Sequence, residues 1–91
     1  MITIRYEEEN DRSAAYDGEK EIGECTYFLT NRKWVINHTF VDENYGGQGI
    51  AKKLVAEIVD QARQQGIKII PLCPFAKREF ELRAEYADVK A

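Results

Sequence analysis

Three groups of residues in this sequence have types and spacing that can do chemistry. The first is the run Asp42-Glu43-Asn44-Tyr45-Gly46-Gly47-Gln48-Gly49-Ile50-Ala51-Lys52-Lys53, with three glycines in four positions at the entrance to a helical pattern. The first N–H groups of a helix have no intrahelical partner, and with the helix dipole they form an anion site. Gly46, Gly47 and Gly49 let a pyrophosphate approach the main chain, and Lys52 and Lys53 add positive charge one turn in. The plain alternative is a glycine-rich turn with no ligand. The run is not a Walker P-loop, because GxxxxGK[ST] is missing, and not a dinucleotide fingerprint, because GxGxxG is missing. The second group is His38, the sole histidine. An imidazole can act as a general base near neutral pH, although a lone histidine on an apolar strand face is also a common core group. The third is Cys73, just past the apolar run Ile67–Leu72. It reads as a buried structural thiol, a proton donor or a nucleophile. Cys25, among apolar neighbours, reads as core.

Several elements must position these groups. Ile2, Ile4 and Tyr6 alternate with Thr3 and Arg5, which predicts a strand, and Glu7 to Arg12 follows as a polar loop. Ser13–Tyr16 and Glu21–Leu29 read as strands joined by a tight hairpin at Asp17-Gly18. Thr30-Asn31-Arg32 turns the chain into a fourth strand, Trp34–Val41. Strict alternation there puts Trp34, Ile36, His38 and Phe40 on one face and Val35, Asn37, Thr39 and Val41 on the other. Apolar groups on both faces predict a central strand covered on both sides.

The period then changes. Ile50, Leu54, Ile58 and Ala62 recur every fourth residue, flanked by Ala51, Val55 and Val59 and opposed by Lys52, Lys53, Glu57, Asp60, Arg63 and Gln64. This predicts an amphipathic helix over 47–65, stopped by Gly66. Ile67–Leu72 reads as a buried strand returning parallel to the fourth through a right-handed crossover. Pro71 and Pro74 end regular pairing, and Phe75–Arg83 forms a second helix. The tail from Glu85 to Ala91 carries no clear pattern. The class is α+β (α/β), in the order β-β-β-β-α-β-α.

Ninety-one residues make one domain, 1–91, and 44% hydrophobic residues support a folded core. So small a domain buries only ~60–65% of its unfolded surface, which suits a monomer or weak homodimer. The net charge of −3, with both signs interspersed, gives no footprint for nucleic acid. The acidic run Glu7-Glu8-Glu9 reads as a solvated loop or an amine-attracting rim. No apolar run approaches the ~18–20 residues of a membrane span, and the N-terminus lacks a signal core. Two cysteines without CxxC spacing suggest neither a disulfide framework nor a metal site, and the cytoplasm is the expected compartment.

The glycine run resembles motif A of the Gcn5-related N-acetyltransferases, [Q/R]-x-x-G-x-[G/A]. Gly49 and Ala51 match its last two fixed positions, Val41 matches the hydrophobic residue of the strand ahead, and Gly46 stands where the family has Gln or Arg. The element order resembles the family's minimal fold over nearly the whole chain. A small subgroup, called YjdJ-type, is resembled through His38-Thr39-x-Val41, the run Gly46 to Leu54, Ile70-Pro71-x-Cys73 and Glu85-Tyr86-Ala87-Asp88. The resemblance implies that strands Trp34–Val41 and Ile67–Leu72 start paired and splay, with the pantetheine of coenzyme A in the V. It implies pantetheine contacts at Phe40 and Val41, and pyrophosphate on Gly46, Gly47, Gln48, Gly49, Ile50 and Ala51. Lys52 adds charge beside the phosphates, and Lys77 on the second helix either reaches them or is simply a solvated lysine. The thioester of acetyl-CoA then points near His38 and Cys73, which act as one unit if they face each other. The implied activity is acyl transfer from acetyl-CoA to a primary amine. The acceptor is open between a protein terminus, a lysine and a polyamine, because Glu7–Arg12 replaces the helical insertion of larger relatives. Tyr45 staples the helix or stacks near adenine. The alternative is a coenzyme A-binding or protein-interaction module with little catalysis.

Overall fold

The computed structural model describes residues 1–91. Five strands lie side by side in sequence order: β1 (Ile2–Glu7), β2 (Arg12–Asp17), β3 (Lys20–Thr30), β4 (Lys33–Val41) and β5 (Lys68–Pro71). The first four pair antiparallel, and β5 runs parallel to β4. Helix α1 (Ile50–Gln65) makes the crossover, and α2 (Pro74–Leu82) follows β5. This is the β-β-β-β-α-β-α order that periodicity predicts. The β3–β4 turn places Asn31 and Arg32 at φ 51° and 64°. Two positive φ angles in succession twist a two-residue hairpin the way its strands require.

One face of α1 closes the core. Ile50, Leu54, Val55, Ile58, Val59 and Ala62 are buried against Cys25, Tyr27, Ile36 and Ile69 of the sheet. Leu54 is fully buried, and truncating such a side chain to alanine costs about 2–5 kcal/mol. The Ser13 hydroxyl donates to the Leu54 carbonyl at 2.8 Å, tying β2 to the helix. Gly23 lies beneath Leu54: a Cβ there would sit 2.8 Å from the Phe40 carbonyl oxygen and 3.3 Å from the Leu54 side chain. Gly66 ends the helix, its N–H turned back to the carbonyls of Ala62 and Arg63.

The C-terminal tail is held by long-range contacts. Arg63 forks onto the Asp88 carboxylate at 2.7 and 2.8 Å and donates to the Glu85 carbonyl at 2.9 Å. The ring of Tyr86 packs on Phe80, and Lys90 bridges Ile69 alongside β5.

Two departures from the expected pattern shape the site. First, α1 starts at Ile50 rather than at residue 47, because Gly47 and Gly49 take φ of +79° and +73°, outside the helical region. Second, β4 carries a bulge. Thr26 lies opposite His38, but Tyr27 lies opposite Ile36, so Asn37 is the extra residue. The Thr26 hydroxyl donates to Asn37 Oδ1 at 2.7 Å and pins it. One extra residue reverses the alternation beyond it. Trp34 and Ile36 face α1, and past the bulge so do Thr39 and Val41. His38 and Phe40 turn to the outer face, where Phe28, Phe40, Ile70 and Leu72 are exposed. β4 is therefore central and covered by α1 on one face; the other face is open from His38 onward and buried only at Val35 near its start.

Candidate functional site

β4 and β5 pair from Lys33↔Lys68 to Ile36↔Pro71 and then part. The crotch is the Ile36 carbonyl, which accepts from the N–H groups of Leu72 at 3.0 Å and Cys73 at 2.9 Å. Pro74 then turns the chain into α2. β4 runs on to Val41 with β3 on one side only. The Asp42 N–H donates to the Ile22 carbonyl at 2.7 Å, toward β3. Main-chain polar groups alternate between the two edges of a strand. Thr39 and Val41 therefore present theirs to the open edge, while Phe40 spends its own on β3. Of the expected pair, Val41 faces the open edge and Phe40 does not; Thr39 does.

At the far end of that edge lies the glycine loop. Asp42 Oδ1 accepts from the Asn44 N–H at 2.9 Å, and the Gly46 N–H donates to the Glu43 carbonyl at 3.2 Å. No protein acceptor meets the amides of Gly47, Gln48 or Gly49, and those of Ile50, Ala51 and Lys52 precede the first intrahelical bond. The next amide, Lys53, is satisfied by the Gly49 carbonyl at 3.2 Å, and no side chain caps the helix. Five of these six successive donors, those of Gly47, Gly49, Ile50, Ala51 and Lys52, belong to residues that line a cleft of about 160 Å³ together with Val41, Tyr45, Gly46 and Phe75. The expected phosphate ligands Gln48 and Lys77 are exposed and lie outside this lining. Phe75 is inside it, although its sequence context marks it only as a helix contact. Gly46 has φ −63°, open to any residue, and a Cβ there would touch only the Glu43 carbonyl at 3.4 Å. Its glycine is therefore not demanded by the backbone. The charge of the cleft comes from main-chain N–H groups and Lys52.

Tyr45 anchors the loop. Its ring packs against the core and its hydroxyl donates to Asp17 Oδ2 at 2.7 Å, with Lys20 Nζ 5.8 Å above the ring. That hydrogen bond holds the Asp17 carboxyl below its ordinary range and the Tyr45 hydroxyl above its own.

At the crotch end the side chains are sulfur and hydroxyl. Cys73 is buried and caps α2, its Sγ accepting from the Ala76 N–H at 3.4 Å. Thr39 Oγ1 lies 3.3 Å from the same sulfur and donates to Cys25 Sγ at 3.6 Å. Burial pushes the Cys25 thiol up to about 12. His38 is elsewhere. Its side chain is 55% exposed on the outer face, with Nε2 3.8 Å from Glu24 Oε2. Glu24 also accepts from Arg12 at 2.7 Å, and Glu21 and Glu7 complete the ring of carboxylates around that guanidinium. No hydrogen bond joins His38 to Cys73, and the expected unit is not assembled. The bulge at Asn37 is the cause: it hands the place facing Cys73 to Thr39.

A family profile described as GCN5-related N-acetyl-transferase matches residues 5–89. The solution structure of a GCN5-like protein from Staphylococcus aureus is 36% identical and superposes with a TM-score of 0.77, covering 98% of this chain and 87% of that one. The ribosomal-protein-alanine N-acetyltransferase of Brucella melitensis biovar Abortus 2308 shares the fold at 20% identity and a TM-score of 0.58, over 88% of this chain and 60% of that one. No curated protein matches the chain. The splayed strands, the glycine loop and the profile match agree, and the chain belongs to the GCN5-related N-acetyl-transferase family.

Proposed function

We propose that this chain binds acetyl-CoA along the open edge of β4 and transfers its acyl group to a primary amine. The observation that carries the proposal is the row of six unpartnered amides, Gly47 to Lys52, five of them on residues that line one cleft with Val41 of that edge. Pyrophosphate is an anion with enough acceptor oxygens to use such a row, and Lys52 adds a charge. From Val41 back to Ile36 the strand covers ~16 Å, a path an extended pantetheine arm can follow by bonding Val41 and Thr39. The thioester then ends beside Cys73.

The amine attacks the thioester carbonyl, and collapse of the tetrahedral intermediate breaks the carbon–sulfur bond. The electron pair stays on the coenzyme sulfur. Cys73 serves as proton donor to that thiolate, a role that suits a buried sulfur gripped from two sides better than attack does. His38, at the outer lip with Glu24 beside it, takes the proton of the incoming amine directly or through water. The acceptor class is a protein terminus, a lysine or a polyamine. The reduced thiols suit the cytoplasm, and the motifs at His38, Cys73 and Glu85–Asp88 suit the small YjdJ-type subgroup.

One observation favours a second reading, a coenzyme-binding module with little turnover: the one cleft of the structure is the one proposed for the coenzyme. Calorimetry with acetyl-CoA and a thiol-release assay over an amine panel separate the two. Micromolar binding with amine-dependent thiol release supports the enzyme. Binding without release on any amine supports the module, and no binding at millimolar coenzyme rejects both.

A further inference from the structure

Thr39 is the side chain that reaches both thiols of the protein. Its hydroxyl has one proton and two sulfur neighbours, Cys73 Sγ at 3.3 Å and Cys25 Sγ at 3.6 Å. It projects from the β4 segment that the bulge has re-aimed, directly past the crotch where β5 departs. Both oxygen–sulfur distances lie within hydrogen-bond reach, so the proton can change partner by rotation about the Cβ–Oγ bond alone, with no heavy atom moving.

We infer that Thr39 is a positioning residue for acyl transfer, its hydroxyl resting on Cys25 while Cys73 is a thiol and swinging onto Cys73 once that sulfur has given its proton to the coenzyme. The inference rests on the proposed role of Cys73 as proton donor. In the step, the amine nitrogen bonds the acyl carbon and the carbon–sulfur bond breaks. The coenzyme sulfur keeps the electron pair and takes the Cys73 proton. The Cys73 thiolate is then held by the Ala76 N–H and the Thr39 O–H, and it regains a proton from solvent, to which His38 releases the one it took from the attacking amine. Burial keeps Cys25 a thiol throughout, with its thiol pushed up to about 12, so Cys25 receives the Thr39 proton only weakly and gives it up at no charge cost. A fixed donor already in place costs no reorganisation when charge appears.

The test compares Thr39→Val, which keeps the shape and removes the hydroxyl, with Thr39→Ser, which keeps the hydroxyl. In a Cys25→Ala background only Cys73 can be alkylated, and the iodoacetamide rate is read by intact mass. The expected result is an alkylation rate about 10-fold lower in Thr39→Val, as a donor to the thiolate is lost, and within about 3-fold of the parent in Thr39→Ser. Where thiol release is measurable, Thr39→Val lowers kcat about 10-fold with KM for acetyl-CoA unchanged, and Thr39→Ser restores it. An unchanged alkylation rate in Thr39→Val, or a loss that Thr39→Ser does not repair, overturns the inference. Failure of every amine to support release overturns the enzymatic reading instead, and the alkylation arm still decides the role of Thr39.

Discussion

Helices α1 and α2 both begin where a strand ends, yet they dispose of their first amides in opposite ways. At α2, Pro74 has no N–H, the Ala76 N–H goes to the Cys73 sulfur and the Lys77 N–H to the Cys73 carbonyl, which leaves only Phe75 unpaired. At α1, six amides in a row have no acceptor, and the cap residue is a glycine with no side chain to offer. Capping a helix start stabilises it by about 1 kcal/mol, so α1 gives up stability that α2 keeps. An exposed, uncapped helix start facing a cleft is disposed for an anion. A capped start that uses a cysteine as its cap fixes the direction of a sulfur. One fold thus carries an open row of donors and a fixed sulfur on the two sides of the same strand opening, the binding end and the chemical end of the proposed reaction.

Substitutions can break this contrast in graded ways. Gly49→Asp should act most strongly, because it places a carboxylate among the six donors and an L side chain at φ +73°. We expect the Kd for acetyl-CoA by calorimetry to rise at least about 100-fold, roughly 2.7 kcal/mol, with the far-ultraviolet circular dichroism unchanged. An unaltered Kd would remove α1 as the anion site. Cys73→Ala should leave the Kd alone and act at the other end. Loss of the cap costs about 1 kcal/mol in urea unfolding, and kcat falls about 10- to 100-fold. Cys73→Ser, which keeps an acceptor for the Ala76 N–H, should regain the stability and not the rate.

A smaller effect tests the anchor of the α1 loop. Tyr45→Phe deletes the hydrogen bond to Asp17 and should raise the Kd about 5-fold. The same bond holds the Asp17 carboxyl below its unfolded value. Its stabilisation is therefore present above the ordinary aspartate range and is lost as pH falls through the lowered folded value. The urea midpoint of Tyr45→Phe should accordingly fall less than that of the native chain as pH drops below about 4. Equal acid sensitivity would break the link between the loop and Asp17. Lys52→Ala should matter least, raising the Kd about 2- to 3-fold at low ionic strength and less at high salt, as expected for an exposed charge.

Much of this architecture was legible in residue order. The every-fourth-residue stripe from Ile50 to Ala62 and the stop at Gly66 define α1, and the apolar run after Gly66 gives the parallel β5. The spacing of the glycine loop marks where the chain turns into α1, and by itself it leaves an anion site and a ligand-free turn both open. α1 starts three residues later than periodicity predicts, because Gly47 and Gly49 take positive φ angles that residue order does not reveal. The faces of β4 were misjudged for a different reason. Asn37 has no composition cue for a bulge. Its bulge follows from pairing with β3, where Thr26 holds its side chain. With the alternation reversed, the side chain that meets Cys73 is Thr39 and not His38, which sequence alternation alone does not reveal. The tail from Glu85 was opaque because its supports, Arg63 and Ile69, lie far away in sequence.

The most direct test of the binding end is a titration of the ¹⁵N-labelled protein with acetyl-CoA, followed amide by amide. The account predicts that the amides of Gly47 to Lys52 show the largest shifts and saturate together at micromolar coenzyme, with Val41 and Thr39 following on the same isotherm. Shifts that saturate instead on the outer face around Arg12 and Glu24, or an absence of shifts at millimolar acetyl-CoA, would contradict it.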